Sequence, residues 1–404
     1  MKDVQIAKSR VGSVGLLIAL VLLPLAVLAA DNSDIDQVFD VDSGGTLIIN
    51  SDAGPIAVDT WNRDEVRVRV RNTDGFRMEV SQQGNDVLVI ADRERSLSVF
   101  RFGGSNIRFD VTIPEQYNVD LDTGGGSITV PDLEGFVRAD TSGGSIDIGR
   151  ITGYVEVDTS GGRITIADVL GDVSADTSGG RILIGDVDGD VYADTSGGDI
   201  DIGDVTGDIY ADTSGGDIEV GEAGGSVELD TSGGTIRAGW AEGPVVADTS
   251  GGNIYLAGSA VSVEADTSGG NIEISRSDGS VYADTSGGSI TIRQSRGPIR
   301  ADTSGGRIDA ELAAFSGSRN ANIELESSGG DVTVRIPSNH GATILADLEV
   351  SRRARNNYRI YTDFPLVIQE DEDGDILGRG DINGGGDRIY IETENSDIHI
   401  VQSD

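Results

Sequence analysis

The sequence contains no cysteine. This absence excludes disulfides, a lipid-attached N-terminal cysteine, thiol catalysis and thiolate metal sites together. Histidine is almost as scarce, with only His340 and His399, which are far apart in the chain. Neither has a second His nearby, so neither forms a metal-ligand spacing or a Ser/His/Asp arrangement. We interpret both as exposed residues at strand ends. The sequence therefore predicts no catalytic, cofactor-binding or metal-binding residue, and no cofactor.

Lysine is absent beyond the first ten residues, where Lys2 and Lys8 lie. The formal net charge of the chain is −39. Because residues 1–30 carry Lys2, Lys8 and Arg10 against Asp3, a net charge of +2, the remainder carries −41. A polyanion of this size repels phosphate backbones and anionic lipid head groups, so nucleic acid is excluded as a partner.

The leader, residues 1–30, differs in composition from the rest of the chain. A basic start is followed by an apolar run from Val11 to Ala30, which ends in small residues. This pattern predicts a cleaved signal peptide and export to the periplasm, the outer surface or the medium. The run is also long enough to span a bilayer, so contact with a membrane through an uncleaved anchor is the alternative.

No segment after the leader shows the 3.6-residue period of an amphipathic helix. Instead, the motif Asp-Thr-Ser-Gly-Gly returns with a strict 18-residue period, with Gly124 in place of Ser in the first copy. A fixed short period without insertions indicates structural units that stack on one another. The aspartates of the repeat are Asp122, Asp140, Asp158, Asp176, Asp194, Asp212, Asp230, Asp248, Asp266, Asp284 and Asp302.

Each repeat contains two short alternating patterns. Numbered from the Asp, the seventh position is always Ile, the ninth and sixteenth are mostly Ile or Val, and the eighteenth is mostly Ala. This period of two predicts short strands with one buried face. We therefore predict an all-β fold, a parallel β-solenoid of 18-residue coils stacked about 4.8 Å apart. Two or three sheets per coil both fit a repeat of this length. The Gly-rich corners are expected to need φ above zero.

The repeat also divides the chain. We predict a leader at 1–30, an N-terminal β region at 31–121, eleven coils at 122–311 and a C-terminal β region at 312–404. The next related motif, Glu326-Ser-Ser-Gly-Gly, comes six positions later than the period would place it, so a short insertion precedes it. Irregular coils are expected at both ends, because terminal coils must shield an open β edge.

Stacking in register places the repeat aspartates in one column. Neighbouring carboxylates about 5 Å apart repel by roughly 0.8 kcal/mol per pair in water. We expect turn N–H groups to offset this repulsion through Asx-type hydrogen bonds. The alternative is Ca²⁺ between coils, although this repeat lacks the glycine and aspartate order of the calcium-binding nonapeptide.

Two sets of side chains are candidates for contact with a ligand. Arg67, Arg69 and Arg71 alternate along one strand, and we expect them to pair with neighbouring acids. Tyr192 and Tyr210 fall outward on adjacent coils, with Tyr255 and Tyr282 elsewhere. A tyrosine column could stack on sugars, but packing of Tyr between coils is the ordinary outcome.

The flanks resemble a known family. Gly44-Gly45-Thr46-Leu47-Ile48-Ile49-Asn50, Gly54-Pro55-Ile56-Ala57-Val58 and Trp61 are similar to the opening of the bacterial "putative adhesin" family of β-strand-repeat proteins. The Val-Thr-Ile-Pro strand end at 111–114 and the close from Ile382 to Ile398 are similar as well. The resemblance covers roughly residues 38–402. It implies a β-strand-repeat fold and an adhesin-like role, in a domain of unknown function with no catalytic residues to transfer.

Together, these features predict an exported, acidic, non-enzymatic β-solenoid of the bacterial cell envelope. Its partner would be an envelope or surface protein or polysaccharide. One alternative is a β-helix enzyme acting on polysaccharide, although the coils between 122 and 310 have none of the loop excursions that carry catalytic residues in such enzymes. Another is a scaffold that self-associates end to end through uncapped terminal coils.

Overall fold

The structure, a computed structural model, describes residues 34–94, 106–314, 321–351, 357–372 and 374–403. All regular elements in these ranges are β-strands, and they form the predicted β-solenoid. The predicted leader at 1–30 lies outside the described residues. Within the described ranges, no helix is long and apolar enough to cross a membrane.

The strands before the repeats are β1 Ile35–Asp40, β2 Thr46–Ser51, β3 Ile56–Trp61, β4 Glu65–Arg71, β5 Phe76–Gln83, β6 Asp86–Arg93 and β7 Arg108–Pro114. The strands of the repeats are β8 Asn118–Thr123, β9 Ile128–Val130, β10 Leu133–Glu134, β11 Val137–Thr141, β12 Ile146–Ile148, β13 Ile151–Thr152, β14 Val155–Thr159, β15 Ile164–Ile166, β16 Val169–Leu170, β17 Val173–Thr177, β18 Ile182–Ile184, β19 Val191–Thr195, β20 Ile200–Ile202, β21 Ile209–Thr213, β22 Ile218–Val220, β23 Val227–Thr231, β24 Ile236–Ala241, β25 Val245–Thr249, β26 Ile254–Ser259, β27 Ser262–Thr267, β28 Ile272–Ser277, β29 Ser280–Thr285, β30 Ile290–Ser295, β31 Ile299–Thr303 and β32 Ile308–Leu312. The strands after the repeats are β33 Ile323–Ser327, β34 Val332–Pro337, β35 Ala342–Glu349, β36 Ile360–Thr362, β37 Val367–Glu370, β38 Ile376–Ile382, β39 Asp387–Glu394 and β40 Ile398–Ser403.

Two long ladders of parallel strands run through the repeats. The first sheet contains the strands that end in Asp-Thr, and the second sheet contains the Ile-x-Ile strands. In the first sheet, β17 pairs with β19 from Val173↔Val191 to Thr177↔Thr195. In the second sheet, β18 pairs with β20, and Ile182 faces Ile200. Each residue therefore stacks on its equivalent in the next repeat, as the 18-residue period predicts.

A short third side closes each of the earlier coils. The two-residue strands β10, β13 and β16 pair in parallel, and single bridges from Val169↔Val187 to Ala223↔Ala241 continue this line. From β24 onward, the second and third sides form one longer strand. Here Ser259, Ser277 and Ser295 replace the apolar residue of the third side and are fully buried. The third side is thus a separate short strand or bridge in the earlier coils and the end of a longer strand in the later ones.

The core is a set of columns of identical or similar side chains. The Ile at position seven is at most 1% exposed from Ile128 to Ile308. The Thr of each Asp-Thr pair is also buried, because it follows the outward Asp and so points inward. Its hydroxyl donates to a glycine carbonyl of the preceding coil, as Thr195 does to Gly180 at 3.0 Å. It also accepts the N–H of a glycine in its own turn, at 3.3 Å from Gly198.

The glycines of the Thr-Ser-Gly-Gly corner have a different role from the one we predicted. Among the described repeat units, only the first copy of this corner contains a glycine with positive φ, Gly126 at 146°. The second Gly of the corner is instead required by close approach between coils. A Cβ on Gly198 would lie 1.9 Å from the carbonyl oxygen of Gly180. The opposite corner does use positive φ in its early copies, as at Gly153 with 148°.

Both ends of the solenoid depart from sequential stacking. The coil of β2 and β3 lies between the coil of β6 and β7 and the first repeat coil. At the other end, β39 and β40 lie between the coil of β33 and β34 and the coil of β35 and β36. The antiparallel strands β1, β5 and β37 are outermost at three of the four sheet ends in the described chain. Each of these outermost strands pairs on one side only among the described residues, so end-to-end association through the terminal coils stays a prediction.

The short insertion after the last repeat leaves the stack in register. β31 pairs with β33, and Asp302 faces Glu326 across the longer interval. The second sheet likewise continues from β32 to β34. The extra residues fall between β32 and β33, and residues 315–320 of this connection lie outside the described ranges.

Candidate binding face

The outer surface of the first sheet carries stacked aromatic rings and columns of carboxylates. Its strands alternate, so positions sixteen, eighteen and two point inward, whereas positions seventeen and one point outward. Position seventeen forms a column on adjacent coils, because the sheet is in register. In order, this column reads Arg138, Glu156, Ser174, Tyr192, Tyr210 and Glu228.

Two pairs of aromatic rings stack along this face. Tyr192 and Tyr210 have ring centroids 4.9 Å apart and an interplanar angle of 3°. Phe136 and Tyr154, at position fifteen, lie 5.1 Å apart at 7°. Tyr192 and Tyr210 are therefore packed between coils, as predicted. Even so, Tyr192 remains 43% exposed and Tyr154 remains 38% exposed.

A groove of about 500 Å³ runs along the sheet between the columns at positions fifteen and seventeen. We call it the tyrosine groove. Its lining includes Asp172, Asp190 and Asp208 from position fifteen, and Tyr192 and Tyr210 from position seventeen. Tyr154 and Glu156 line it at one end, and Glu228 lines it at the other. The residues of position sixteen, whose side chains point inward, lie beneath the groove as its floor.

The aspartates of the groove are held in place by the stack itself. Oδ1 of Asp172 accepts the backbone N–H of Asp190 at 3.0 Å, and Asp190 in turn accepts that of Asp208 at 2.9 Å. Asp208 accepts the N–H of Ser226 at 2.7 Å. Each carboxylate uses one oxygen in this bond, so its other oxygen can accept a hydrogen bond from a ligand.

The regularly spaced aspartates at position one form a second acidic column on the same face. The turn hydrogen bonds that we expected for them are made by the buried Thr instead, and the carboxylates project outward. Partial burial and repulsion from neighbouring carboxylates raise the pKa of several of them, including Asp122, Asp176 and Asp212. The pKa of Asp248 rises to about 6 for the same reasons. These four aspartates therefore hold protons more tightly than isolated aspartates do.

Metal binding by this column is not indicated by the geometry. Among the residues that the structure describes, no group of three or more His, Asp or Glu side chains is arranged to hold a metal ion. A shallow hollow of about 200 Å³ lies over Asp230, Asp248 and Asp266. Carboxylates and hydroxyls surround it, and we assign no ion to it.

A second hollow lies further along the same sheet. It has a volume of about 360 Å³ and is lined by Tyr282, Arg300, Glu324, Arg388 and Tyr390, among others. Arg300 lies 3.5 Å from Glu324, so the polar groups here pair with each other. Tyr255 is separate from both hollows, because it lies on the second sheet with Arg237 over its ring.

The remaining candidate residues take structural positions. Arg67 pairs with Asp36 at 2.6 Å and Arg71 with Asp110 at 3.6 Å, as predicted for the arginine strip. The histidines are not exposed as we predicted. His340 follows β34 with its side chain 10% exposed, 3.4 Å from Asp387. His399 stacks on Tyr361 with centroids 4.9 Å apart.

Sequence reasoning identified Tyr192 and Tyr210 but missed the rest of the groove. Tyr154 is at position fifteen, two positions before the column of Tyr192, so a search for one column passes over it. Asp172, Asp190 and Asp208 could not be distinguished among many acids. Alignment of the repeats by position would have revealed them, since the Gly-Asp pairs fall at one position of three successive units.

The family comparison agrees with this architecture. The family described as Toastrack DUF4097 matches residues 45–247, half of the chain. The chain belongs to this family. Its name marks a domain of unknown function, as the resemblance of the flanks had implied. A search of curated proteins finds no match.

Solved structures similar to this Toastrack chain include three bacterial proteins. One is a "putative cell adhesion protein" from Clostridium sporogenes, 9% identical, with a TM-score of 0.16, covering 92% of this chain and 100% of its own. The second is a "putative adhesin" from Bacteroides fragilis, which is 12% identical with a TM-score of 0.28. The match covers 56% of this chain and 98% of the Bacteroides protein. The third, a "putative adhesin" from Parabacteroides distasonis, is 12% identical with a TM-score of 0.24. The match covers 70% of this chain and 96% of the Parabacteroides protein.

Proposed function

We propose that this protein is an exported, non-enzymatic β-solenoid of the bacterial cell envelope that binds a surface polysaccharide along its first sheet. The tyrosine groove carries this proposal. Grooves that combine aromatic side chains with a few fixed polar groups are the usual form of a ligand site. Here the polar groups are fixed by backbone bonds between coils, so the groove needs little ordering when a ligand binds.

The shape of the groove favours a polymer over a small molecule. It follows the stacking direction and takes residues from five successive coils, from Tyr154 to Glu228. An extended ligand lying along the rod would contact several coils at once, and each coil would add a similar small contribution. This arrangement suits an adhesin-like contact, in which affinity comes from many weak contacts.

Polysaccharide cleavage is the rival activity. Two carboxylates about 5–10 Å apart are the usual requirement for glycoside hydrolysis, and a stack of acidic columns satisfies that requirement almost anywhere. The presence of such carboxylate pairs therefore does not indicate glycoside hydrolysis. Catalysis needs two carboxylates in different environments, so that one is an acid and the other a base. In the groove, Asp172, Asp190 and Asp208 occupy the same position of successive repeats, so their environments are alike.

The test is a pull-down with protein recovered from cells that express and export the full chain. Isolated envelope polysaccharide, envelope protein and whole envelopes would be immobilised separately, with and without calcium. We expect retention on the polysaccharide and on whole envelopes, without release of reducing ends over many hours. Absence of retention on the polysaccharide would contradict the proposal, whichever other fraction retained the protein, and steady release of reducing ends would show an enzyme instead.

A further inference from the structure

We propose that the tyrosine groove contains a subsite for one uncharged sugar ring, formed by Glu156, Ser174 and Tyr192. We call it the Ser174 notch. The inference rests on the proposed function and adds the location and chemical class of one bound residue. It follows from a gap in the aromatic stacking of the outer face, where a small residue occupies the column that tyrosines fill on the next two coils.

The gap leaves one face of the Tyr192 ring without a stacked ring. Tyr210 covers one face of Tyr192, so the other face is turned toward the coil of Ser174. Phe136 covers one face of Tyr154 in the same way, and Asp172 occupies the same position as Tyr154 on the next coil. The Ser174 coil therefore lies between the two aromatic side chains, with Ser174 next to Tyr192 and Asp172 next to Tyr154.

The dimensions suit a single ring. Tyr154 and Tyr192 are two coils apart, which is about 10 Å along the stack. Stacked rings in this protein lie 4.9–5.1 Å apart. One sugar ring placed over Ser174 is thus at stacking distance from Tyr192. Tyr154 lies beside this sugar ring rather than above it, because Tyr154 is at position fifteen and Ser174 is at position seventeen. The Ser174 side chain is short enough to leave this space open.

The polar groups around the notch are hydrogen-bond acceptors. Glu156 is oriented by Arg138, whose Nε donates to it at 3.0 Å. Arg138 is itself placed over the rings of Phe136 and Tyr154, at 5.8 and 5.6 Å. Asp172 is fixed by the N–H of Asp190. These acceptors match the hydroxyl donors around a sugar ring, and the apolar C–H face of the ring matches the face of Tyr192.

Charge decides which sugars fit. The residues that line the groove in the described chain include five carboxylates and no basic side chain. A uronate, sulfated or phosphorylated sugar would be repelled at short range. A hexose chain without charged groups is not repelled, and it satisfies both the aromatic face and the acceptors. We therefore assign the notch to an uncharged hexose residue of a longer glycan.

The experiment uses calorimetry with the exported full-length protein and defined probes. Cellohexaose, laminarihexaose and chitohexaose are the uncharged probes, hexagalacturonate is the anionic probe and hexalysine is the cationic probe. Ser174→Tyr fills the notch with a residue that the same column already accepts at Tyr192, and Tyr192→Ala removes its wall. Val246→Tyr adds a ring to the same column outside the groove, and Tyr255→Ala removes a ring from the second sheet.

We expect at least one uncharged hexasaccharide to bind, with affinity at least tenfold weaker in Ser174→Tyr and Tyr192→Ala and unchanged in both controls. Hexagalacturonate should not bind. Equal binding by Ser174→Tyr and the unmodified protein would overturn the notch, and so would binding of hexalysine alone or of no uncharged probe. The proposed function would survive those results if the envelope polysaccharide still retained the protein.

Discussion

At the scale of single residues, the two glycines of each Thr-Ser-Gly-Gly corner are not equivalent. The second is in contact with the corner of the preceding coil, where an added Cβ would meet a carbonyl oxygen at 1.7–2.0 Å from Gly144 to Gly306. The first has no such neighbour within 3.5 Å over the same corners. The second position therefore requires glycine because no space is left for a side chain. Substitution of the second glycine should reduce stability more than substitution of the first.

We predict that Gly198→Ala destabilises the protein and that Gly197→Ala does not. The new Cβ at 198 would lie 1.9 Å from the Gly180 carbonyl oxygen, whereas at 197 the nearest atom is 4.0 Å away. Overpacking of this kind costs about 1–3 kcal/mol, or more where backbone must move. Urea unfolding of both variants measures the difference. Equal midpoints would mean that the corners are not in contact.

The buried Thr column gives a second prediction. In Thr195→Val, the carbonyl of Gly180 and the N–H of Gly198 lose their shared hydroxyl partner. Buried groups left without a partner cost about 1–3 kcal/mol, so the free energy of unfolding should fall by that amount. Thr195→Ser should lose less, because Ser327 already makes both bonds in its own coil. A stable valine variant would show that the hydroxyl is dispensable.

The Asp column predicts an unusual pH dependence. Asp248 keeps its proton to about pH 6 in the folded protein but only to about pH 4 when unfolded. Between these values the folded state binds more protons, so the free energy of unfolding falls as pH rises. Asp248→Asn should flatten this slope and stabilise the protein at neutral and mildly basic pH. Asp147→Asn on the second sheet is the control, and identical slopes in both variants would contradict the prediction.

At the scale of one element, the coil is the unit of stability. Each repeat coil pairs only with the coils before and after it, through contacts that are nearly the same along the repeat. Stability in such an array is approximately a sum over neighbouring units. Removing a whole coil deletes one unit and one interface, whereas removing part of a coil mismatches the corners and strands on both sides.

Deletion of residues 176–193 should therefore give a folded protein with a somewhat lower free energy of unfolding. The deletion joins Ala175 to Asp194, which restores the Ala-Asp-Thr sequence found in most coils. Deletion of residues 176–184 should instead place Gly-rich corners against strands and unfold the rod locally. Circular dichroism and limited proteolysis would distinguish them. If both deletions behaved alike, the 18-residue coil would not be the structural unit.

The coil could be predicted from the sequence because its period is strict, and inward residues such as Ile200 could be predicted because strands alternate. The third side could not, since β13 is too short for any alternation to develop. Nor could the order of the terminal coils. β2 stacks between β6 and β8, and a periodic pattern contains no information about insertion of one coil between two later ones.

In the candidate site as well, some features could be predicted from the sequence and others could not. The outward direction of Tyr192 and Tyr210 could be predicted, since alternation along the strand determines it. The exposed face of Tyr192 depends on the small side chain at Ser174, and a gap in one repeat is visible only after the coils are stacked. The contacts of Arg138 with Phe136, Tyr154 and Glu156 also become visible only after stacking, because they join positions fifteen and seventeen of two coils.

At the scale of the whole molecule, charge is the dominant feature. Columns of acids lie on the first sheet and at the corners, and residues 31–404 carry a formal net charge of −41. Some of these carboxylates are offset locally, as Asp201 is by Arg181 at 2.5 Å. Others accept backbone N–H groups of the next coil, as Asp186 does from Asp204 at 3.0 Å. In the described repeats, the outward column at position one has neither form of compensation along most of its length, so its repulsion depends on the surrounding ions.

This repulsion predicts the response to divalent cations. The rod should fold in the presence of a chelator, because its columns are held by backbone pairing, buried Ile and the Thr hydroxyls. Millimolar magnesium and calcium should each raise the melting temperature by a similar small amount, since both screen the same carboxylates. Thermal melts with chelator, magnesium and calcium measure this, with sodium chloride at equal ionic strength as the control. A large gain with calcium alone, or unfolding in chelator, would instead identify the aspartate column as a specific calcium site.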